Sequence, residues 1–453
     1  MRERLSRIAF GTDGVRGVAN ESLRPEDALA LGLAGASFFG GPLVIGRDTR
    51  LSSGMLSCAL AAGAASGGAR VLDLGVLPTP GIAALTGKFG ASAATVVSAS
   101  HNPYSDNGIK FFSGEGRKLS ATSEKDLESL LAEGDSERPT GSGLGVVEVV
   151  PNALELYLEA VLSRLAPRAE GMKVLLDCAH GAAYEIAPLV FKELGVELTV
   201  VGSEPTGTNI NEGVGSTHVE KLDVSGHEVA FAFDGDADRL LAVDEKGRVV
   251  DGDRIVAILA RDLAERKALR GGVVVTVMSN LGFFKAMEGL GIDYEVTQVG
   301  DRHVAETMLK KGATLGGEQS GHVIHAEYAT TGDGLVTALA VLDVMARKGK
   351  ALSELAEVME VYPQTLINVP VEGLSSAPRV AESEPVKGAL AEAEAYLAGK
   401  GRILLRPSGT EPLVRVMVEH EDEVVCREVC EEVAEIVSRS SSPSAQEEEV
   451  RIS

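Results

Sequence analysis

Basic residues are in short supply in this chain, with 43 Lys and Arg against 66 Asp and Glu in 453 residues and a formal net charge of -23. Nucleic acid and anionic membranes repel such a chain overall, so neither is expected as its main partner. A small anionic substrate is not excluded, because screening over about 8 Å lets a local group of Arg and Lys outweigh distant carboxylates. Cysteine is scarce as well. Cys58, Cys178, Cys426 and Cys430 contain no CxxC pair, so neither a zinc site nor a disulfide framework is expected, and a reducing, cytoplasmic setting fits. The opening MRERLSRIAFGTDG lacks the apolar core of a signal peptide. The uncharged stretch Ala28 to Gly46 is broken by Gly40-Gly41-Pro42, so it reads as a buried helix followed by a strand rather than a membrane span.

What is present describes a globular protein long enough for three or four domains, with 44% hydrophobic and 24% charged residues. Three segments share one plan, a short apolar strand, a small polar loop, a helix ending at Gly and a second strand. They begin at Leu43, Val174 and Val273, and each reads as a βαβ unit with a parallel crossover. Their recurrence at domain-sized intervals predicts three related α/β domains, expected over 1–150, 151–251 and 252–364. Glu133 to Gly145, EGDSERPTGSGLG, has the composition of a linker. After Tyr362-Pro363 strands and helices alternate differently, which predicts a smaller α+β domain over 365–440, joined by one chain crossing and followed by a loose tail at 441–453.

Four loops carry candidate chemistry. The apolar run Ala93 to Val97 ends in Ser98-Ala99-Ser100-His101, which places Ser100 on a loop leaving a strand end, with His101 and Lys110 beside its hydroxyl. By itself a Ser-His pair more often marks a helix cap; here Ser100 reads as a phosphate-carrying nucleophile because of the rest of the chain. FDGDADR spaces Asp234, Asp236 and Asp238 two apart, which in extended chain turns all three carboxylates to one side. Such a set suits Mg²⁺, whereas an EF-hand fails because Arg239 occupies the position that needs Gly. GGEQSGH offers Glu318, Ser320 and His322 to a polyhydroxylated ligand, with the carboxylate accepting from hydroxyls and the imidazole shuttling a proton. RPSGTEP gathers Arg406, Ser408, Gly409 and Thr410 around a turn suited to phosphate. FGTDGVRG adds Thr12 and Arg16, and GDRH adds Arg302.

The order of these loops, one to a domain, resembles the α-D-phosphohexomutase superfamily over nearly the whole length. The resemblance implies three topologically related α/β domains with mixed sheets plus a smaller C-terminal α+β domain, around a central cleft. It implies a phosphorylated Ser100, primed by a hexose 1,6-bisphosphate, and one Mg²⁺ bound by Asp234, Asp236 and Asp238 with Ser100. Glu318, Ser320 and His322 would contact the sugar, and Arg406, Ser408, Gly409 and Thr410 its phosphate, with Arg415 close by. Arg239, His101, Lys110 and Arg16 would assist transfer. The motifs SASHNPYSDNGIKFF, NINEGVGSTH, QVGDRHV and TTGDG look like the bacterial branch that acts on glucosamine phosphates. Ala237 stands where that family often has Gly, and Val214 where it often has Cys; both are expected to be tolerated. A homodimer is left open. The alternatives are a mutase of neutral sugar phosphates, a non-catalytic sugar-phosphate sensor, and a phosphatase, which would not need the distal phosphate loop.

Overall fold

The computed structural model describes residues 8–11, 13–133, 138–408 and 412–441. Thr12, Gly409, Thr410 and all but the first residue of the expected tail lie outside them. The chain forms two compact units, Met1–Ser279 with Met287–Val358, and Asn280–Ala286 with Met359–Ser453.

The first unit holds three sheets. The first contains β1 (Val15–Val18), β2 (Leu43–Arg47), β3 (Val71–Val76), β4 (Ala93–Val97), β5 (Asp106–Ser113) and β6 (Val147–Val149) in the order β1-β5-β4-β2-β3-β6. The second contains β7 (Lys173–Asp177), β8 (Glu197–Val201), β9 (Val229–Phe233), β10 (Leu240–Asp244) and β11 (Val249–Val250) in the order β11-β10-β9-β7-β8. The third contains β12 (Val273–Thr276), β13 (Tyr294–Thr297), β14 (Leu315–Gly317) and β15 (Val323–His325) in the order β13-β12-β14-β15.

One four-strand pattern underlies all three. A first strand lies between the second and third, both parallel to it, and a fourth runs antiparallel beside the third, as in β2 to β5, β7 to β10 and β12 to β15. The helices Leu51–Ser66, Ile186–Glu193 and Leu281–Leu290 make the expected first crossovers. Every residue of β4, β9 and β12 is buried, as strands covered on both faces require. The expected helix and strand within Ala28 to Gly46 are the helix Pro25–Phe39 and β2. The stretch with linker composition rejoins the first sheet. Gly145 N donates to Ala65 O at 2.9 Å, and β6 follows as an edge strand on β3.

In the second unit β16 (Gln364–Pro370), β17 (Gly401–Pro407) and β18 (Leu413–His420) form an antiparallel sheet in the order β16-β18-β17. Val414, Val416 and Val418 alternate into its core against Cys426, Cys430, Val433 and Val437 of the helix Glu423–Ser440, strand period 2 meeting helix period 3.6. A helix at Ser376–Ala381 was not expected. Asn280–Ala286, leading through the start of the helix Leu281–Leu290, also groups with this unit. Buried Glu419 accepts from Leu281 N at 2.9 Å and from Arg402 Nε at 2.6 Å, and Asn280 Nδ2 donates to Tyr362 O at 3.0 Å. Among the described residues no helix is long and apolar enough to cross a membrane.

Candidate active site

The three chemistry-bearing loops of the first unit occupy the same place in its repeated pattern. Ser98 to Ser105 joins β4 to β5, Asp234 to Arg239 joins β9 to β10, and Glu318 to His322 joins β14 to β15. Each is the turn between the third and fourth strands, and each contains a residue in the left-handed region, Ser100 at φ 51°, Ala237 at φ 56° and Gly321 at φ 93°. The left-handed backbone at Ala237 disfavours a Cβ, so Gly would suit that position physically.

Ser100 is buried and its Oγ donates to Asp234 Oδ2 at 2.5 Å. His101 Nδ1 lies 3.4 Å from the same hydroxyl. Burial, then the nearby Arg239 and Arg16 guanidiniums, push the His101 imidazole down to about 4, so it is neutral near pH 7. Arg16 Nη1 donates to Asn102 Oδ1 at 3.1 Å, and its Nη2 pairs with Asp13.

The three carboxylates converge, but not by strand alternation. The loop turns through Ala237, and a ligand oxygen from each of Asp234, Asp236 and Asp238 lies within 4.8 Å of the others. Asp236 Oδ2 is engaged from the first domain by Thr79 Oγ1 at 2.6 Å and Lys110 Nζ at 2.9 Å. Lys110 also pairs with Asp13 at 2.9 Å, so the lysine expected beside the serine hydroxyl is bonded to carboxylates. Burial opposes its charge, yet Asp13, Asp236 and Asp238 outweigh that and raise its pKa. Burial likewise opposes ionisation of Asp236, but Lys110 and Thr79 hold its carboxyl low. Asp234 and Asp238 are raised, by burial first and then by repulsion from the neighbouring carboxylates. Asp236 Oδ1 and Asp238 Oδ1 are buried without a hydrogen-bond donor. Buried, all-oxygen, mutually repelling and partly unsatisfied, this donor set fits a hard divalent cation such as Mg²⁺. Arg239 N donates to Asp234 Oδ1 at 3.2 Å and its Nε lies 3.8 Å from Asp238 Oδ1.

On the third loop Glu318 Oε1 accepts from Gly300 N at 3.1 Å, and Ser320 is exposed. His322 is buried with neither ring nitrogen hydrogen-bonded, and its Nε2 lies 3.7 Å from Asp301 Oδ2. Gly332 leaves room for that ring, since a Cβ there would approach it to 2.4 Å. Lys118 bridges Asp13 and Asp301, and Arg302 Nη2 donates to Glu124 at 2.5 Å, so this arginine is occupied by a carboxylate. Asp13, Asp48, Arg50, Thr79, Lys118 and Asn211 were missed. Two of these had a local signal: Asp13 lies between Thr12 and Arg16 in the Gly-rich loop, and Asn211 lies within NINEGVGSTH.

In the second unit Arg406 on β17 and Arg415 on β18 are direct cross-strand partners. Burial first, and then the Arg415 charge, lower the pKa of Arg406. Buried Ser408 follows at the end of β17.

Family models for phosphoglucomutase/phosphomannomutase match the chain in four pieces. These are alpha/beta/alpha domain I over residues 7–138, domain II over 155–247, domain III over 251–362 and the C-terminal domain over 366–436. The phosphoglucosamine mutase of Rubrobacter xylanophilus is 69% identical over 432 residues, covering 95% of this chain and 97% of that protein. That of Geobacillus thermodenitrificans is 50% identical over 442 residues, covering 95% and 98%. Among solved structures, a phosphoglucomutase/phosphomannomutase family protein of Burkholderia thailandensis shares the fold with a TM-score of 0.81 at 24% identity, covering 97% of this chain and 98% of that one. The N-acetylphosphoglucosamine mutase of Aspergillus fumigatus, solved with GlcNAc-6P and magnesium, gives a TM-score of 0.68 at 20% identity and covers 97% and 99%. With all four domains matched and such identity over nearly the full length, the chain belongs to the phosphoglucomutase/phosphomannomutase family of α-D-phosphohexomutases, in its phosphoglucosamine mutase branch.

Proposed function

We propose that the chain interconverts glucosamine 6-phosphate and glucosamine 1-phosphate through a phosphoserine at Ser100 and a sugar 1,6-bisphosphate, a step toward UDP-N-acetylglucosamine and cell-wall precursors. The observation that carries this is the Ser100 hydroxyl standing 2.5 Å from Asp234 of a buried acidic triad, in a chain 69% identical to a phosphoglucosamine mutase. A hexose 1,6-bisphosphate loads Ser100 at the outset. In each cycle O1 of the sugar attacks phosphorus, the bond from phosphorus to Ser100 Oγ breaks and the bond to O1 forms. O1 gives up a proton and Oγ takes one, so the exchange is proton-neutral. Neutral His101 can accept that proton at Nδ1 and return it. After the intermediate turns, the bond to O6 breaks and the bond to Ser100 Oγ reforms.

Asp234, Asp236 and Asp238, with Ser100, would hold one Mg²⁺, which when bound supplies positive charge against that of the transferring group. Lys110 fixes Asp236, Arg239 adds charge at the edge of the triad, and Arg16 braces Asn102 in the serine loop. Glu318, Ser320 and His322 take the sugar hydroxyls. Thr12 and Arg302 contact substrate, Arg302 after leaving Glu124. The phosphate not being transferred is gripped by Arg406, Ser408, Gly409 and Thr410 with Arg415, a role supported by the opposed guanidiniums. This assigns one task to each of 1–150, 151–251, 252–364 and 365–440.

The test is a coupled assay on glucosamine 6-phosphate with intact-mass measurement before and after phosphatase. Wild type should lose one phosphoryl group on phosphatase treatment, and Ser100→Ala should carry none and fall to background turnover while remaining folded. Near-normal turnover by Ser100→Ala would sink the mechanism. Equal catalytic efficiency on neutral sugar phosphates would sink the substrate assignment.

A further inference from the structure

A phosphoryl-carrying oxygen must be held still, yet Ser100 sits at φ 51°, where a residue with a Cβ is disfavoured by about 1–2 kcal/mol. Something outside the loop must therefore impose its shape. The strongest constraint is Arg50, whose side chain is wholly buried with Asp48. Its Nη2 donates to the carbonyls of Ser100 and Asn102, both at 2.8 Å, and its Nη1 donates to that of Pro103. Its Nε donates to Asp48 Oδ2 at 2.8 Å.

Asp48 is itself fixed. Oδ1 accepts from Ser53 Oγ at 2.5 Å and from Arg50 N at 3.0 Å, and Oδ2 accepts from Ser98 Oγ at 2.6 Å. Ser98 Oγ in turn accepts from Ser100 N at 3.0 Å. One carboxylate thus orients both the guanidinium that holds the Ser100 carbonyl and the hydroxyl that holds its amide. From the Asp-loop side, Asn211 Nδ2 donates to the same two carbonyls, of Ser100 at 2.9 Å and Asn102 at 3.2 Å. Gly235 allows this approach, since a Cβ there would stand 2.5 Å from Ser100 O. With amide and carbonyl both tied, the left-handed backbone is fixed and Oγ faces Asp234.

We propose that Arg50, oriented by Asp48 and backed by Asn211, is the positioning residue that holds the Ser100 oxygen in transfer geometry. The inference rests on the reading of Ser100 as the phosphoryl carrier. The Arg50 side chain is spent on Asp48 and backbone carbonyls, so its signature is a loss of turnover without a matching loss of substrate binding. Lysine cannot substitute, because a single ammonium on a flexible stem does not reproduce a planar fork reaching three carbonyls and a carboxylate together.

Arg50→Ala strands Asp48 and three carbonyls and risks misfolding, so the test uses Arg50→Lys and Asn211→Ala in the full chain, assayed well below their melting temperatures. We expect kcat to fall about 100-fold in Arg50→Lys and about 10-fold in Asn211→Ala, with KM for glucosamine 6-phosphate within about 3-fold of wild type. Amide hydrogen exchange should speed up in the peptides covering residues 98–103 and stay unchanged in the Asp loop. Folded variants that keep wild-type kcat, or that raise KM alone, overturn the proposal. If Ser100→Ala is as active as wild type, the functional reading fails instead. Hydrogen exchange then still decides whether Arg50 shapes the loop: faster exchange at 98–103 in Arg50→Lys supports it, and unchanged exchange overturns it.

Discussion

Replacing Lys110 with Met tests how the acidic centre is balanced. The side chain is 2% exposed, its Nζ lies 2.9 Å from both Asp236 Oδ2 and Asp13 Oδ2, and Asp238 Oδ2 is 3.9 Å away. Methionine keeps most of the stem and removes the charge. Asp236 Oδ2 would keep only Thr79, while Asp13 would keep Lys118 and Arg16. Removing one partner of a buried ion pair typically costs about 3–5 kcal/mol. At roughly 2–4 °C per kcal/mol for a domain of 150–250 residues, the apparent Tm of the metal-free protein should fall by about 6–20 °C. Because neighbouring carboxylates raise the lysine pKa, wild-type Lys110 stays charged, and its own titration adds no pH dependence to the difference between about pH 6 and 9. Added Mg²⁺ should raise the Tm of Lys110→Met more than that of wild type, since carboxylate charge released by the lysine becomes available to the ion. Differential scanning calorimetry with and without Mg²⁺, beside a turnover assay, reads all of this. A metal-free Tm within about 2 °C of wild type, less than 1 kcal/mol on the same scale, would refute the view that Lys110 neutralises the triad.

Asp234→Asn should weaken Mg²⁺ binding by at least about 10-fold, because it removes a full charge from an oxygen site; calorimetric titration checks this, and activity of wild type surviving thorough chelation would count against the metal assignment. Arg406→Ala should raise the apparent KM and lower kcat, each by about 10-fold or more, while Mg²⁺ binding and phosphate on Ser100 persist; unchanged constants would remove the distal phosphate grip from the mechanism. His325, pushed down to about 4 by burial and then by the Arg266 charge, should make the fold acid-sensitive. The unfolded chain binds that proton near pH 6.5, so stability is full above 6.5 and falls as pH drops toward 4, by up to about 3 kcal/mol. Asp333, raised by burial to about 6, acts with the opposite sign, so the comparison must be between slopes. The Tm of His325→Gln should fall less than that of wild type between pH 7 and 4.5, and equal slopes would disprove the account.

Much of this protein is decided by local pattern. The βαβ crossovers were legible because each is contiguous in sequence, a buried strand giving way to a small polar loop and a helix ending at Gly. Ser100, the Asp triad and Arg406 could be named as candidates because their residue types stand together in short motifs. Tertiary structure decided the rest. The shared position of the three loops depends on strand order, which periodicity does not carry. The Asp carboxylates converge because the chain turns at Ala237, where spacing had suggested alternation along a strand. Lys110 is 126 residues from Asp236 and Arg302 is 178 from Glu124, so folding alone sets whether each cation meets a carboxylate or a substrate. Arg50 and Asn211 lie 50 and 111 residues from the serine whose carbonyl they hold. A sequence displays the side chains that can do chemistry, but a backbone carbonyl has no letter of its own, so the residues that grip one emerge only when the chain is folded.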